Sequence, residues 1–292
     1  MTTITTQPED AARAGCHALG IDARGLMPLR EHATSVYRLP NEDAVARVSP
    51  RAKSDAIVRG VALAGWLVDQ GYPATEPLDV AQPFTHGPYV INFWRYYPQH
   101  NRDQPAPEHL GRLLRQLHDL PPPPMALPVY QPLASLCTAI GRSRLPAEIR
   151  SWLTEATREL LDAYSRLDFP LGTGLIHGDA YPGNLIWDGS SVRLGDWDEA
   201  ALGPRELDLA STHHGAVRFG RPQQLINAFT RAYGYDASAW SGLSTLVAIR
   251  DFHTLGAFIK RADAGDLRAA AQLHHRIATL QDGNRNARWN TF

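Results

Sequence analysis

Residues 175–187 of this 292-residue chain are LIHGDAYPGNLIW, and residues 188–198 continue as DGSSVRLGDWD. Two short strand patterns, Leu-Ile-Trp at 185–187 and Val-Arg-Leu at 192–194, stand on either side of Asp188-Gly189. An Asp-Gly pair between two such patterns is a strong signal for a β-hairpin. The stretch therefore predicts a rigid hairpin with polar, ionisable side chains at its two ends.

Side chains that can bind a metal ion or accept a proton lie at and near the ends of the predicted hairpin. Asn184 precedes the first strand and Asp196 follows the second, so folding of the hairpin brings them close together. An amide oxygen beside a carboxylate suits a hard cation such as Mg²⁺, which takes its other ligands from water and substrate phosphates. Asp179 lies on the same loop as Asn184 and can face an incoming hydroxyl. Phosphoryl transfer needs this division of labour between nucleophile and metal.

The spacing of these residues resembles the protein-kinase catalytic loop, H-x-D-x-x-x-x-N, followed by a metal-binding Asp. With Gly178 at the second position, it is similar to the loop of the aminoglycoside phosphotransferase and choline kinase family. Two more segments strengthen the resemblance: GPRELDLA at 203–210, and a leucine-spaced helix that ends as LHDL at 117–120. The resemblance covers residues 25–292, and it is weak in the first hundred.

The resemblance implies an α+β, two-lobed, protein-kinase-like fold, and the sequence pattern agrees. Strand patterns at 35–39, 44–48 and 89–94 surround one predicted helix in the first hundred residues. Helical spacing dominates afterwards, with predicted helices at 222–233, 241–261 and 265–280. We expect a small β-rich, nucleotide-binding N-terminal lobe over 1–95, with 1–24 peripheral. We expect a larger, mostly helical lobe for catalysis and substrate binding over 96–292.

Carried over residue by residue, the resemblance implies a role for each polar group of the loop. Asp179 would be the catalytic base, and His177 would shape the loop rather than react. Asn184 and Asp196 would hold Mg²⁺. Asp208, in the GPRELDLA segment, would brace the catalytic loop.

Two further acids follow the implied metal ligand. Asp198 and Glu199 are close enough in sequence to Asp196 to contact the substrate or the groups around the metal.

The resemblance also implies a nucleotide site on the N-terminal lobe, with ATP or GTP as donor. The adenine would meet the backbone near Phe93, Trp94 and Arg95. Arg47 corresponds to the family's phosphate-holding Lys, and its guanidinium can grip phosphate through two nitrogens. There is no glycine-rich loop, but the hydroxyl and N–H groups of the turn that ends at Ser35 can contact phosphate.

One position departs from the family's pattern. The resemblance expects a Glu on the helix after Arg47, and Gly60 stands there instead. The nearest acid, Asp55, lies five residues earlier, about 140° round the helix, so it points elsewhere. This departure supports a rival hypothesis, a nucleotide-binding pseudokinase with a regulatory or scaffold role. The intact Asp179, with Asn184 and Asp196, favours the kinase.

Composition and charge limit the partners. A net charge of -1, with 43% hydrophobic and 20% charged residues, is ordinary for a globular protein and shows no basic surplus for nucleic acid or an anionic membrane. No apolar run approaches the roughly 20 residues that span a bilayer, and the polar N-terminus lacks a signal pattern. We expect a cytoplasmic monomer or homodimer. Its partner would be a small hydroxyl-bearing acceptor: an aminoglycoside or other antibiotic, an amino alcohol or a sugar.

Overall fold

The computed structural model of the chain describes residues 7–31, 34–99 and 102–290. The chain forms two compact units. The first unit comprises Met1–Pro105, Pro121–Leu127 and Pro182–Ala200. The second unit comprises Ala106–Leu120, Pro128–Tyr181 and Ala201–Phe292. The predicted domain boundary after residue 95 stays a prediction, and the first unit also takes in the hairpin segment 182–200.

Strands and helices are mixed in the first hundred residues, and helices predominate in the rest of the chain. The strands are β1 (Met27–Glu31), β2 (Ser35–Leu39), β3 (Ala44–Pro50), β4 (Phe84–His86), β5 (Tyr89–Arg95), β6 (Thr173–Ile176), β7 (Leu185–Asp188), β8 (Ser191–Leu194) and β9 (Ala201–Pro204). The helices are α1 (Pro8–Leu19), α2 (Ser54–Asp69), α3 (Pro107–Asp119), α4 (Ala134–Arg142), α5 (Ala147–Ser165), α6 (Glu206–Phe219), α7 (Gln223–Tyr233), α8 (Leu243–Asp263) and α9 (Leu267–Gln281). The predicted α+β class, with a small antiparallel sheet in the N-terminal part and a helical C-terminal part, is confirmed.

The first unit is built on an antiparallel sheet with strand order β1-β2-β3-β5-β4. Side chains alternate between its two faces, as the two-residue period of a strand requires. On β3 the residues Ala44, Ala46 and Val48 face the core. Arg47 has the opposite parity, so it lies on the other face of the sheet.

Helix α1 covers the core face of this sheet, so the prediction that residues 1–24 are peripheral is wrong for the helix. Ala11, Ala12 and Cys16 of α1 are buried in the same cluster as Phe93 of β5. The approach is close because Gly15 has no side chain, and a Cβ there would lie 3.2 Å from the Phe93 ring. The small residues of α1 therefore make it part of the core of the first unit.

The predicted hairpin is confirmed as β7 and β8, paired from Leu185↔Leu194 to Asp188↔Ser191. Gly195 N–H donates to the Asn184 carbonyl at 2.9 Å, which continues the ladder by one step beyond the strands. The hairpin is tied to an extended segment of the same unit, because Leu194 N–H donates to the Pro73 carbonyl at 2.9 Å.

The second unit packs helices around the antiparallel pair β6–β9. Its core cluster is formed by aliphatic and aromatic residues of α4, α5, α6, α8 and α9 together with the two strands. Strand β6 ends at Ile176, so His177 and Asp179 follow directly from this core. Among the described residues, no helix is long and apolar enough to cross a membrane.

Candidate active site

The first unit contains a cavity of about 200 Å³ next to the outer face of its sheet. Its lining includes five residues that the sequence predicts for nucleotide and metal binding: Arg47, Trp94, Arg95, Asn184 and Asp196. Arg47 comes from β3, while the last two come from the ends of the β7–β8 hairpin. Residues that are far apart in the sequence are thus brought to one cavity within one unit.

Phe93 does not line this cavity. Its side chain is fully buried in the core on the other face of the sheet. Its N–H donates to Gln82 Oε1 at 2.7 Å, and its carbonyl accepts from Leu78 N–H at 2.9 Å. Arg95 N–H donates to the Glu76 carbonyl at 2.9 Å. Three of the backbone groups near the predicted adenine contact, both groups of Phe93 and the N–H of Arg95, are therefore bonded to the segment 76–82.

Ser35 is also absent from the cavity lining. It is buried at the start of β2, where it pairs with Val48 of β3. Its neighbours Thr34 and Val36 line the cavity instead. Residues 32 and 33 of the predicted phosphate turn lie outside the described residues.

Arg47 is bonded to two carboxylates that follow the hairpin. Its Nη2 donates to Asp196 Oδ1 and to Asp198 Oδ2, each at 2.8 Å, and its Nη1 donates to Asp198 Oδ1 at 3.3 Å. Burial by itself lowers the pKa of Arg47, but the two carboxylates outweigh burial and leave that pKa above its usual value. Burial raises the pKa of Asp198 against the opposing charge of Arg47. The guanidinium is therefore charged, and this cluster has one positive group and two acidic groups.

The oxygen donors of Asn184 and Asp196 fit a hard divalent cation. Both residues line the cavity, and the Gly195–Asn184 backbone bond holds their segments side by side. Asp196 has φ 65, a left-handed conformation that Asp tolerates better than most residues. In the described ranges no three His, Cys, Asp or Glu side chains are grouped to hold a metal ion. A cation held by the Asp196 carboxylate and the Asn184 amide would therefore take its remaining ligands from oxygens of substrate or water.

The predicted catalytic base belongs to the second unit. Asp179 follows β6, and its side chain is 31% exposed. Arg250 of α8 donates from Nη2 to Asp179 Oδ1 at 2.9 Å. Asp179 N–H donates to His177 Nδ1 at 3.3 Å, so His177 carries its ring proton on Nε2 when neutral. The carboxylate is thus oriented by one guanidinium and reachable from solvent.

Asp208 lies beneath this loop and is almost completely buried. Its Oδ2 accepts from His177 N–H at 2.7 Å, and its Oδ1 accepts from Gly178 N–H at 2.9 Å. His118 Nε2 lies 3.1 Å from Oδ2. Burial raises the pKa of Asp208, but the bonds and charges of His118 and the loop outweigh burial and lower that pKa overall. The ionised carboxylate only accepts, so His118 donates from Nε2, and its Nδ1 lies 2.8 Å from Tyr233 OH.

Sequence reasoning missed Arg250, which donates to Asp179, and His253, which lies within range of the charges of both residues. Burial together with the Arg250 charge lowers the pKa of His253 to about 4. Both residues lie on α8, whose sequence has the apolar spacing of an ordinary packed helix. No motif marks them, and only the fold shows what they face.

A larger cavity, about 670 Å³, lies in the second unit among α6, α7, α8 and the segment after α9. Its wall includes Asp251, which pairs with Arg218 through two bonds of 2.7 and 2.8 Å. The lining contains none of the site residues that the sequence predicts. Its size alone therefore does not connect it to the chemistry of the loop.

Known proteins resemble this chain in sequence and in fold. The model of the APH family, described as "Phosphotransferase enzyme family", matches residues 27–246. No curated protein gives a significant match.

Solved structures with the same fold include three kinases of small molecules. An amicoumacin kinase is 13% identical, with TM-score 0.72 over 92% of this chain and 91% of that one. A spectinomycin phosphotransferase is 16% identical, with TM-score 0.63 over 94% of this chain and 95% of that one. A choline/ethanolamine kinase family protein from Mesorhizobium loti is 17% identical, with TM-score 0.60 over 88% of this chain and 87% of that one. At these identities the similarity shows the fold alone.

Proposed function

We propose that this chain, which belongs to the APH phosphotransferase enzyme family, transfers the γ-phosphate of ATP or GTP to a hydroxyl of a small metabolite or antibiotic. The family match confirms the predicted enzyme class, a phosphotransferase with an alcohol group as acceptor. The identity of the donor, the metal and the acceptor belongs to the proposal.

The observation that carries the proposal is the cavity of the first unit, where Arg47, Asn184 and Asp196 meet. In the proposal Arg47 holds nucleotide phosphates, since a guanidinium can grip phosphate through two nitrogens. Asn184 and Asp196 supply the oxygens that hold Mg²⁺. When bound, Mg²⁺ neutralises charge on the transferring phosphates.

Asp179 would accept the proton of the acceptor hydroxyl. The bond from Arg250 supports this role, because it fixes the direction of the carboxylate. Asp208 would hold the loop in shape through the N–H groups of His177 and Gly178. Most of the rate enhancement would then come from positioning and from charge neutralisation.

The donor is proposed as either ATP or GTP. The amicoumacin kinase was solved with AMP-PNP, the spectinomycin phosphotransferase with ADP, and a third structural relative, an aminoglycoside phosphotransferase, with GDP and kanamycin. Adenine and guanine nucleotides are both bound in these structures, so neither donor is favoured here. Their antibiotic ligands make antibiotics reasonable acceptors to try, and a role in antibiotic resistance would follow only if one is phosphorylated.

A panel of hydroxyl-bearing compounds tests the proposal. The protein is incubated with Mg²⁺ and ATP or GTP, and acceptor-dependent formation of ADP or GDP is measured, with EDTA to remove the metal. We expect at least one acceptor class to raise nucleoside diphosphate formation in a metal-dependent manner. Tight nucleotide binding without turnover over hours would favour the pseudokinase hypothesis. Absence of any nucleotide binding would refute both.

A further inference from the structure

Gly60 lies inside helix α2, where a glycine is an unfavourable residue. A glycine in a helix interior costs roughly 0.5–1 kcal/mol relative to alanine, so a packing reason is expected. The structure supplies one. A Cβ on Gly60 would lie 3.3 Å from both the backbone carbon and the oxygen of Trp197, and 3.4 Å from Asp198 Oδ1. The turn that carries Asp198 thus sits directly against the helix at this position.

Asp198 accepts from the Arg47 guanidinium through both of its oxygens, at 2.8 and 3.3 Å, and Asp196 accepts from it through Oδ1 at 2.8 Å. The Asp198 side chain is 6% exposed, against 43% for Asp196 and 15% for Arg47. Asp198 is therefore the buried member of the cluster, and Asp196 is the member that faces outward.

Bond geometry distinguishes the two carboxylates. Both charges act on Arg47, and Asp196 raises its pKa at least as much as Asp198 does. A two-point bond to a planar guanidinium, however, restricts its direction more than a single bond does. The direction of the Arg47 guanidinium thus depends more on Asp198 than on Asp196.

We propose that Asp198 is the positioning residue of Arg47, in place of the helix Glu that Gly60 lacks, and that Gly60 makes room for it. This inference rests on the proposed function, in which Arg47 holds the phosphates of the donor. Because Asp198 holds the guanidinium by two bonds, Asp196 is not needed to position it and can serve the metal.

A double-mutant cycle between Asp198→Asn and Arg47→Gln tests the inference. The readout is the Kd of Mg²⁺–ATP, or of Mg²⁺–GTP if that donor binds better, measured by calorimetry without acceptor. The corresponding nucleoside is titrated as a probe that carries no phosphate. Asp55→Asn is the matched control, since Asp55 is an exposed acid of the same unit and undergoes the same chemical change.

We expect Asp198→Asn to weaken triphosphate binding by about tenfold or more, with nucleoside binding unchanged. In the Arg47→Gln background the same change should add less than about twofold, because the group that Asp198 positions is gone. Asp198→Glu, which keeps the carboxylate, should bind closer to wild type than Asp198→Asn. The control should bind as the wild type does.

Other outcomes distinguish a failure of the role of Asp198 from a failure of the proposed function. Equal weakening in both backgrounds, or no weakening in the wild-type background, would overturn the role of Asp198 and leave the proposed function standing. A wild-type chain that binds neither triphosphate would contradict the proposed function, and this inference with it. If Asp198→Asn does not fold, Asp198→Ser, which also removes the carboxylate, is compared across the two Arg47 backgrounds by the same criterion.

Discussion

Replacement of Asp208 by Asn should destabilise the protein markedly, because its buried carboxylate accepts three hydrogen bonds. The donors are His177 N–H at 2.7 Å, Gly178 N–H at 2.9 Å and His118 Nε2 at 3.1 Å. Asn keeps one oxygen and turns an NH₂ group toward donors, so at least one charge-assisted bond is lost. Such bonds contribute about 1.5–3 kcal/mol each. The new NH₂ group also faces one of the existing N–H donors, which adds to this cost. Together we expect a loss of about 3 kcal/mol in the free energy of unfolding.

Urea denaturation followed by circular dichroism measures this loss. In a heat scan the midpoint should fall by about 6–12 °C, at about 2–4 °C per kcal/mol. Asp162→Asn is the control, because Asp162 is an exposed acid on α5. A difference of less than about 0.5 kcal/mol between Asp208→Asn and this control would refute the assignment of Asp208 as a structural acceptor.

The pH dependence of the free energy of unfolding is a second test of the role of Asp208. The pKa of Asp208 is lowered in the folded state, so its contribution is present above its unfolded pKa of about 4 and is lost as the pH falls through the folded value. The stability gap between wild type and Asp208→Asn should therefore stay constant from about pH 8 to pH 5 and shrink below about pH 4. A gap that shrinks between pH 8 and pH 5 would point to a different titrating group.

Three further predictions concern the second unit. Arg250→Gln removes the bond to Asp179 Oδ1, so we expect kcat to fall by about tenfold or more with the nucleotide KM unchanged in steady-state assays; an unchanged kcat would show that Arg250 does not orient the base. The folded pKa of His253 is about 4, against 6.5 for the free group, so wild type should lose up to about 1.4 kcal/mol of stability per pH unit as the pH falls between these values. His253→Gln should flatten that slope in urea titrations at several pH values, and an equal slope would contradict the assignment. Trp289 is buried with the Arg218 guanidinium 4.4 Å from its ring, so Trp289→Ala should cost about 3–5 kcal/mol in urea denaturation, and a loss below about 1 kcal/mol would contradict its packing role.

The parts of the fold that the sequence predicts are those encoded by local signals. The turn before Ala44 and the Asp188-Gly189 pair each lie between two short strands, so neighbouring residues are enough to predict the hairpins. Helices α7, α8 and α9 begin and end within two residues of the predicted bounds, because each has a regular apolar spacing.

Helix α6 was not predicted, and the reason is physical. It buries the ionisable residues Asp208, His214 and Arg218, so it shows no simple apolar stripe. Their partners are far away in the sequence: His118 for Asp208, and Asp251 for the other two. A sequence pattern contains no record of such distant pairing.

The candidate site also combines features that local sequence predicts with features that depend on distant residues. The loop motif predicts Asp179, Asn184 and Asp196 as site residues, because their spacing lies within one short segment. The pairing of Arg47 with Asp198 joins residues 151 positions apart, so no local pattern predicts it.

Gly60 could be recognised in the sequence only as a departure from the family's pattern. The structure shows what fills its place, because the turn that carries Asp198 packs against the helix there. This contact removes one reason for the pseudokinase hypothesis.

The most direct test of the account is single-turnover phosphoryl transfer by Asp179→Asn. The label of γ-³²P-ATP or γ-³²P-GTP is followed into the acceptor that the panel identifies, and Asp162→Asn serves as the control. The account predicts a rate lower by about 10²–10⁴-fold, with the Kd of the Mg²⁺–nucleotide within about twofold of wild type. An unchanged rate of transfer in Asp179→Asn would contradict the assignment of the catalytic base.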